Sequence, residues 1–87
     1  MSKDQTTQDL RNFIVEDAQT TADDPGLTLD VHLFDSGYLD SLGVVRLIAF
    51  IEERFGVVLD EEDLFSEEFT YISGIADLIL NQSSSAA

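Results

Sequence analysis

Hydrophobic residues recur at helical spacing in three stretches of the chain. The first stretch places Leu10, Phe13 and Ile14 on one face of a helix. The second has the most regular pattern, because its apolar residues fall three, four, seven and eleven positions after the first, on one side of a helix. These residues are Val44, Leu47, Ile48, Ile51 and Phe55. The third pattern predicts a last helix over about 71–81.

Strong boundary signals surround the second helix. Asp40 and Ser41 both belong to the residue types that cap helix N-termini, and Gly56 is of the type that stops a helix just beyond its end. The helix is therefore expected to begin at Asp40 or Ser41 and to end at about Phe55. Val45 is expected to widen its apolar face.

A long loop separates the first and second helices. The dipeptide Pro25-Gly26 breaks any helix that continues into it, and the loop is expected to run to about Leu39. Several loop residues are too apolar for a free linker, so we expect the loop to lie over the helices and to insert some of them. They are Leu27, Leu29, Val31, Leu33 and Phe34.

The segment after the second helix predicts no sheet. Residues 57–59 are apolar, but three residues without a partner strand cannot form one, so they are expected to be an extended connector that packs inward. Acidic residues surround three apolar ones in 60–69, which indicates a short or broken helix. The sequence thus predicts an all-α protein, a small four-helix bundle of three main helices and one short helix.

Composition divides the chain into three parts. Residues 1–7 are polar and are expected to form a flexible N-terminus, residues 8–81 the folded domain, and residues 82–87 a disordered tail. A chain of 87 residues supports one compact domain, with a core too small to enclose a deep pocket.

The net charge limits the ligands that the chain can bind. It has 18 Asp and Glu against 4 Lys and Arg, a formal charge of −14. So few cations cannot neutralise phosphates, which excludes nucleic acid and disfavours anionic membranes, whereas a basic patch on a partner protein would be attracted. The chain has no cysteine, secretory signal or apolar run of about 20 residues, so we expect a cytoplasmic monomer without membrane insertion.

Ser41 is the candidate site residue. A hydroxyl in the first turn of a helix is exposed and lies near the positive end of the helix dipole, which stabilises a negatively charged group. A hydrolase nucleophile would need a glycine where the chain has Leu39, and the single histidine, His32, lies nine residues upstream. The pattern favours a modification site over an enzyme, although Asp40 and Ser41 also fit a plain helix cap.

The acidic clusters do not match a calcium site. An EF-hand loop needs oxygen ligands at alternate positions, a glycine at the sixth and a glutamate at the twelfth, and neither 30–41 nor 60–69 has this pattern. We interpret the acidic residues as a solvated, partner-facing surface, with Glu62 as a candidate partner-binding residue. No metal site is expected.

The wider context of Ser41 resembles the acyl carrier protein family. Leu-Phe-Asp-Ser-Gly-Tyr-Leu-Asp-Ser-Leu is followed by an amphipathic helix ending in Glu-Glu-Arg-Phe-Gly-Val and then by an acidic short helix, and the similarity spans about Leu10 to Leu80. The resemblance implies a four-helix bundle in which Ser41 receives the 4′-phosphopantetheine arm of coenzyme A. It also implies that Asp40 supports the modification and that Leu42 offers partners an apolar contact.

Two differences from fatty-acid carriers indicate which kind of carrier protein the chain resembles. Fatty-acid carriers have one residue between the glycine and Asp-Ser-Leu, whereas Tyr38 and Leu39 both follow Gly37 here, as in D-alanyl carriers and free-standing carriers of specialised pathways. Fatty-acid carriers also show outer-face carboxylates where this chain has Gly43 and Arg46. The resemblance therefore implies a dedicated partner set, with Tyr38, Leu42, Arg46 and Glu62 as partner-binding candidates.

The sequence supports one function and one alternative. We expect a free-standing carrier of an acyl, hydroxyacyl or aminoacyl thioester in polyketide or nonribosomal-type biosynthesis, which is not itself an enzyme. Its expected partners are a phosphopantetheinyl transferase, a loading ligase, and a downstream synthase or transferase. The alternative is an unmodified acidic interaction module that docks a basic partner.

Overall fold

The computed structural model describes residues 2–85 as a helical bundle. Within that range the chain forms no strand, which confirms the all-α fold class and the small four-helix bundle. The elements are α1 (Lys3–Ala18), α2 (Ser41–Phe55), α3 (Glu61–Leu64), a 3₁₀ helix (Glu67–Thr70) and α4 (Ile72–Ser85).

Helix α1 begins earlier than its composition indicated. The Ser2 side chain accepts a hydrogen bond from the backbone N–H of Gln5 at 3.2 Å, so Ser2 caps the helix. Thr6 is buried, and its hydroxyl donates to the Ser2 carbonyl at 2.9 Å. The chain is helical from Lys3 onward, and Met1 lies outside the described residues. The start of the folded domain expected at residue 8 stays a prediction.

Helix α2 has the predicted bounds because both ends carry local stop signals. The Asp40 carboxylate accepts from the Gly43 N–H at 2.7 Å and caps the N-terminus. Gly56 adopts a left-handed conformation with φ 67° and donates its N–H to the Glu52 carbonyl at 3.0 Å. Glycine adopts this backbone conformation without the steric cost of a Cβ.

The loop between α1 and α2 inserts Leu27 and Leu33 into the core, as the sequence indicated, and Leu39, which was not among the expected residues, is buried as well. Backbone hydrogen bonds also fasten the loop to the far side of the bundle. The Leu33 N–H donates to the Thr70 carbonyl at 2.8 Å, and the Ser73 N–H donates to the Leu29 carbonyl at 3.1 Å. The segment leading to α2 is therefore fixed at several points.

The segment between α2 and α4 is extended and then broken into two short turns. In the connector Val57 and Leu59 are buried whereas Val58 is 69% exposed, as expected for an extended stretch with alternating side chains. Helix α3 and the 3₁₀ helix replace the single short or broken helix predicted over 60–69.

Helix α4 continues beyond the predicted end at 81. The backbone is helical through Ser85, and residues 86 and 87 lie outside the described residues. The tail expected over 82–87 stays a prediction. No helix of the described chain is long and apolar enough to cross a membrane.

Helices α1, α2 and α4 contribute most of the core, which the loop, the connector and the 3₁₀ helix complete, and several helix side chains are fully buried. They are Leu10, Ile14, Leu47, Ile51, Ile72, Ile75 and Ile79. Val45 was expected to widen the buried face of α2, but it is 64% exposed. At 3.6 residues per turn it lies almost opposite Leu47 on the helix, which explains the wrong prediction.

Candidate functional site

Ser41 is the first residue of α2 and is exposed. Among the described residues its hydroxyl has no hydrogen-bond partner. No acidic residue lies in the first turn of α2, so the helix dipole and the unpaired amides contribute a positive potential at this end, which the capping Asp40 carboxylate partly offsets. An exposed hydroxyl at such a position fits a phosphate ester, because the added anion is stabilised where it forms.

The residues on either side of Ser41 fix its position. Leu39 is buried, and its N–H donates to the Leu33 carbonyl at 3.0 Å, which anchors the chain two residues earlier. Asp40 is exposed and uses one carboxylate oxygen to cap α2 through Gly43. The serine therefore lies on a rigid helix end that a modifying enzyme can reach.

The Tyr38 side chain is bound within the chain. Its hydroxyl donates to an Asp24 carboxylate oxygen at 2.9 Å. The same carboxylate accepts from the Thr20 hydroxyl at 2.6 Å and from the Gly26 N–H at 2.9 Å. The partner-binding role expected of Tyr38 stays a prediction, while the structure shows that this side chain connects two parts of the loop.

The pKa values of the Asp24 carboxyl and the Tyr38 phenol are shifted in opposite directions. The hydrogen bonds from Thr20, Gly26 and Tyr38 hold the pKa of the Asp24 carboxyl below its usual range. Partial burial, followed by the nearby Asp24 charge, raises the pKa of the Tyr38 phenol. The pair therefore favours a neutral phenol that donates to an ionised carboxylate.

Arg11 supports the same loop from α1, and the sequence analysis missed it. Its guanidinium donates to the carbonyls of Leu27 and Asp24, each at 3.3 Å, and also to the Ala22 carbonyl. The only sequence signal was a basic residue on the first helix ahead of a turn with several carbonyls available.

Arg46 forms an ion pair with Asp17 across the α1–α2 boundary. Its Nε and Nη2 atoms lie 2.5 and 3.3 Å from the two carboxylate oxygens. These hydrogen bonds raise the pKa of Arg46 further above its usual range. About half of the Arg46 side chain remains exposed, so a partner role stays a prediction alongside this structural one.

Leu42 and Val45 form an exposed apolar pair one turn into α2, 67% and 64% exposed. They lie three residues apart and so share one face of the helix near Ser41. The sequence analysis named Leu42 as a partner contact, and the structure leaves its side chain accessible. Val45 was missed because it was assigned to the core.

Glu62 lies elsewhere. It lines a cleft between α3 and α4, and no residue from 38–46 lines that cleft. The structure therefore brings Asp40, Ser41, Leu42 and Arg46 together around the start of α2 and places Glu62 on a different surface.

Among residues 2–85, His32 and the acidic side chains show no sign of a metal site. The His32 Nδ1 atom accepts from the Asp35 N–H at 3.1 Å and the ring contacts Phe34 edge-on, so His32 is an exposed loop residue with local contacts. Within the described residues no group of three or more His, Cys, Asp or Glu side chains is placed to hold a metal ion.

The comparisons with known proteins agree with this geometry. The family model described as the phosphopantetheine attachment site matches residues 8–79. The chain belongs to this family of carrier proteins, which hold a covalently attached 4′-phosphopantetheine and are not themselves catalysts.

Its similar curated relatives are D-alanyl carrier proteins. The Streptococcus suis protein is 36% identical over 55 residues, which cover 59% of this chain and 70% of that protein. The Lacticaseibacillus casei protein is 45% identical over 38 residues, covering 44% and 47%, and the Bacillus velezensis protein 33% over 48 residues, covering 55% and 62%. The chain thus spans only about half to two thirds of the length of several of these relatives.

Proposed function

We propose that Ser41 is the phosphopantetheine attachment residue and that the chain carries an aminoacyl or small acyl unit. The main observation in support is the position of the Ser41 hydroxyl, which is exposed at the N-terminus of α2 and has no hydrogen-bond partner among the described residues. On modification this hydroxyl oxygen bonds to the phosphorus of coenzyme A nearest the pantetheine and becomes the ester oxygen of a phosphodiester, while the pyrophosphate bond breaks, adenosine bisphosphate leaves and the hydroxyl proton is released. The attached phosphopantetheine supplies a flexible arm, and its terminal thiol holds the cargo as a thioester.

The neighbouring residues have separate roles in this proposal. The α2 amides stabilise the phosphodiester charge. Asp40 keeps the helix start ordered with one oxygen and offers the other to the magnesium ion of the transferase. Leu42 and Val45 provide an apolar contact beside the serine, and the Asp17–Arg46 pair holds α1 against this end of α2.

The relatives favour an aminoacyl cargo. Several are named D-alanyl carrier proteins, and the spacing of Gly37, Asp40 and Ser41 resembles theirs. We therefore propose D-alanine or a similar small aminoacyl unit; hydroxyacyl cargo and a polyketide or nonribosomal setting stay predictions.

The proposed partners follow from the cargo chemistry. A phosphopantetheinyl transferase installs the arm, an ATP-dependent ligase loads the aminoacyl unit, and a downstream transferase removes it. Tethering keeps the cargo close to each active site and so raises its effective concentration there. Residence in the cytoplasm and a monomeric state stay predictions.

Intact-mass measurement tests the attachment site. The protein is incubated with coenzyme A, Mg²⁺ and a broad-specificity phosphopantetheinyl transferase. The wild type and the control Ser36→Ala are expected to gain one phosphopantetheine, while Ser41→Ala gains none. An unmodified wild type would favour the acidic interaction module, and a modified Ser41→Ala would contradict the site.

A second measurement tests the cargo. The modified protein is incubated with ATP and a D-alanine-activating ligase from a species that has a D-alanyl carrier, and the thioester is weighed. Loading of D-alanine in preference to octanoate supports the aminoacyl assignment. Loading of octanoate alone, by an acyl-activating ligase, would overturn it.

A further inference from the structure

Phe65 is the most exposed large apolar side chain that the structure describes, at 87%. It follows Leu64, which packs against the core, and it occupies the C-cap of α3. Successive helical residues point about 100° apart, so burying Leu64 turns Phe65 toward solvent. Its phenyl ring is thus held outward by a short helix that is fixed to the core.

A cleft of about 650 Å³ begins at the next residue, Ser66. Glu62 and Glu68 line it on the same side, and α4 contributes the opposite wall with Asp77 and Leu78. The cleft therefore combines carboxylates with apolar residues, and four of its lining residues lie within three positions of the exposed Phe65 along the chain.

Within residues 2–85 no Lys or Arg side chain pairs with Glu62 or Glu68. Lys3 pairs with Asp77 at 2.9 Å, Arg46 with Asp17, and Arg54 with Asp9 at 3.2 Å, while Arg11 is bound to loop carbonyls. These are all 4 Lys and Arg residues of the sequence. Within the described chain the Glu62 and Glu68 carboxylates have neither an ion pair nor a hydrogen bond.

We propose that the Phe65 cleft docks a basic segment of a partner protein, in which an apolar side chain lies between Lys or Arg residues. The apolar side chain contacts Phe65, and the cations pair with Glu62 and Glu68. The Lys3–Asp77 pair shows that an ammonium group is already accepted on the α4 wall. An exposed aromatic residue surrounded by complementary charge is typical of a binding hot spot.

The charge also selects against other occupants. A second copy of this chain would bring another net charge of −14 and no unpaired Lys or Arg, and an anionic lipid surface would be repelled in the same way. The cleft shares no residue with the start of α2. A partner can therefore engage it while Ser41 remains accessible, which extends the proposed function to a second contact surface.

A peptide probe tests this docking site on the full chain. The probe is a synthetic peptide with one tryptophan between two pairs of lysines, and because the protein has no tryptophan its fluorescence reports only the peptide. Phe65→Ser is expected to weaken binding about tenfold, since a buried apolar contact of this size is lost. The control Val58→Ser, another exposed apolar position, should bind as the wild type does.

A second variant and backbone amide NMR shifts complete the test. The double variant Glu62→Gln with Glu68→Gln should weaken binding and reduce its dependence on salt. On addition of the peptide, the largest changes in backbone amide chemical shift should occur in residues 61–70 and 77–82. Equal binding of Phe65→Ser, or amide shifts confined to α2, would overturn the proposal. A peptide with serine in place of tryptophan that binds equally well, when its binding is followed by the amide shifts, would also overturn it. So would self-association of the protein that Phe65→Ser abolishes.

The attachment site is measured on the same samples. If Phe65→Ser gains phosphopantetheine normally but the wild type does not bind the peptide, the docking proposal fails alone. If Ser41 is not modified, the proposed carrier function fails whatever the peptide does.

Discussion

Arg46 on α2 and Asp17 near the end of α1 form a two-point ion pair beside the start of the helix that carries Ser41. Gly43 permits this approach, because a Cβ there would lie 3.0 Å from an Asp17 carboxylate oxygen and 3.2 Å from an Asp40 oxygen. The two carboxylates thus lie close to the attachment site, and the Arg46 charge offsets them. A residue that sequence alone placed on a free outer face therefore joins two helices.

Arg46→Gln is expected to lower the melting temperature by a few degrees, because a two-point hydrogen-bonded pair between α1 and α2 is lost. Arg46→Glu should lower it further, since a third carboxylate would face Asp17 and Asp40. Thermal unfolding at low salt measures both. In the double variant with Asp17→Asn, Arg46→Gln should cause little further loss; fully additive losses would show that the pair does not couple the helices.

Asp40 combines two roles that substitution can separate. Asp40→Ala should destabilise the fold by about 1 kcal/mol through loss of the N-cap, while Asp40→Asn, which still caps, should change stability by only a few tenths. Both variants are expected to slow phosphopantetheine attachment, because both remove the carboxylate charge. Urea unfolding and the rate of mass gain measure the two effects. Wild-type attachment rates in Asp40→Asn would restrict Asp40 to capping.

The Tyr38–Asp24 hydrogen bond predicts a loss of stability at alkaline pH. The folded state raises the pKa of Tyr38, so the unfolded chain loses this proton first and stability falls as pH rises above about 10. Tyr38→Phe should flatten this alkaline decrease and lower stability at neutral pH. Melting temperatures from pH 7 to 11 provide the measurement, and an unchanged alkaline slope in Tyr38→Phe would contradict it.

The Tyr38–Asp24 hydrogen bond also predicts a loss of stability at acidic pH, this time through the carboxyl. Because the folded state lowers the pKa of Asp24, its contribution is present at neutral pH and is lost as pH falls through the folded value, below about 4. Asp24→Asn should therefore reduce the slope of acid unfolding. A matched control is Asp35→Asn, an exposed loop carboxylate.

Gly74→Ala tests the packing of α4 against the 3₁₀ helix. A Cβ at Gly74 would lie 2.2 Å from the Glu68 carbonyl oxygen and 2.7 Å from its Cα, so the backbone must move. We expect Gly74→Ala to lower the free energy of unfolding by about 2 kcal/mol, because the cost of the clash exceeds the roughly 1 kcal/mol by which alanine stabilises a helix through its propensity. Gly43→Ala, where a Cβ would meet only side-chain atoms, should cost less. Equal effects in chemical denaturation would show that the close backbone approach is not limiting.

Local signals explain which parts of the fold were predictable. The bounds of α2 followed from a capping aspartate and a glycine in left-handed conformation, both of which act within one turn of the helix. Its buried face followed from helical periodicity, apart from Val45, where an apolar residue was assigned inward although the helix turns it outward. The cap at Ser2 is equally local, but the polar composition of 1–7 concealed it.

The candidate site was likewise predictable only in part from the sequence. Ser41 was singled out from its position at a helix start and from the residues on either side of it; the family match covers this region, and the role of Ser41 as the attachment residue stays a prediction. The contacts of Tyr38 and Arg46 could not be read in this manner, because their partners lie 14 and 29 residues away along the chain.

The sequence by itself determined the helical class, the bounds of α2 and the residue suited to carry a phosphate ester, because periodicity, capping and the helix dipole depend on neighbours within a few positions. Only the tertiary structure decided where the charges and exposed side chains lie. Folding pairs three of the four cations with distant carboxylates and binds Arg11 to loop carbonyls, which leaves Glu62 and Glu68 uncovered beside an outward Phe65. Such contacts depend on how helices pack, so no local pattern can specify them.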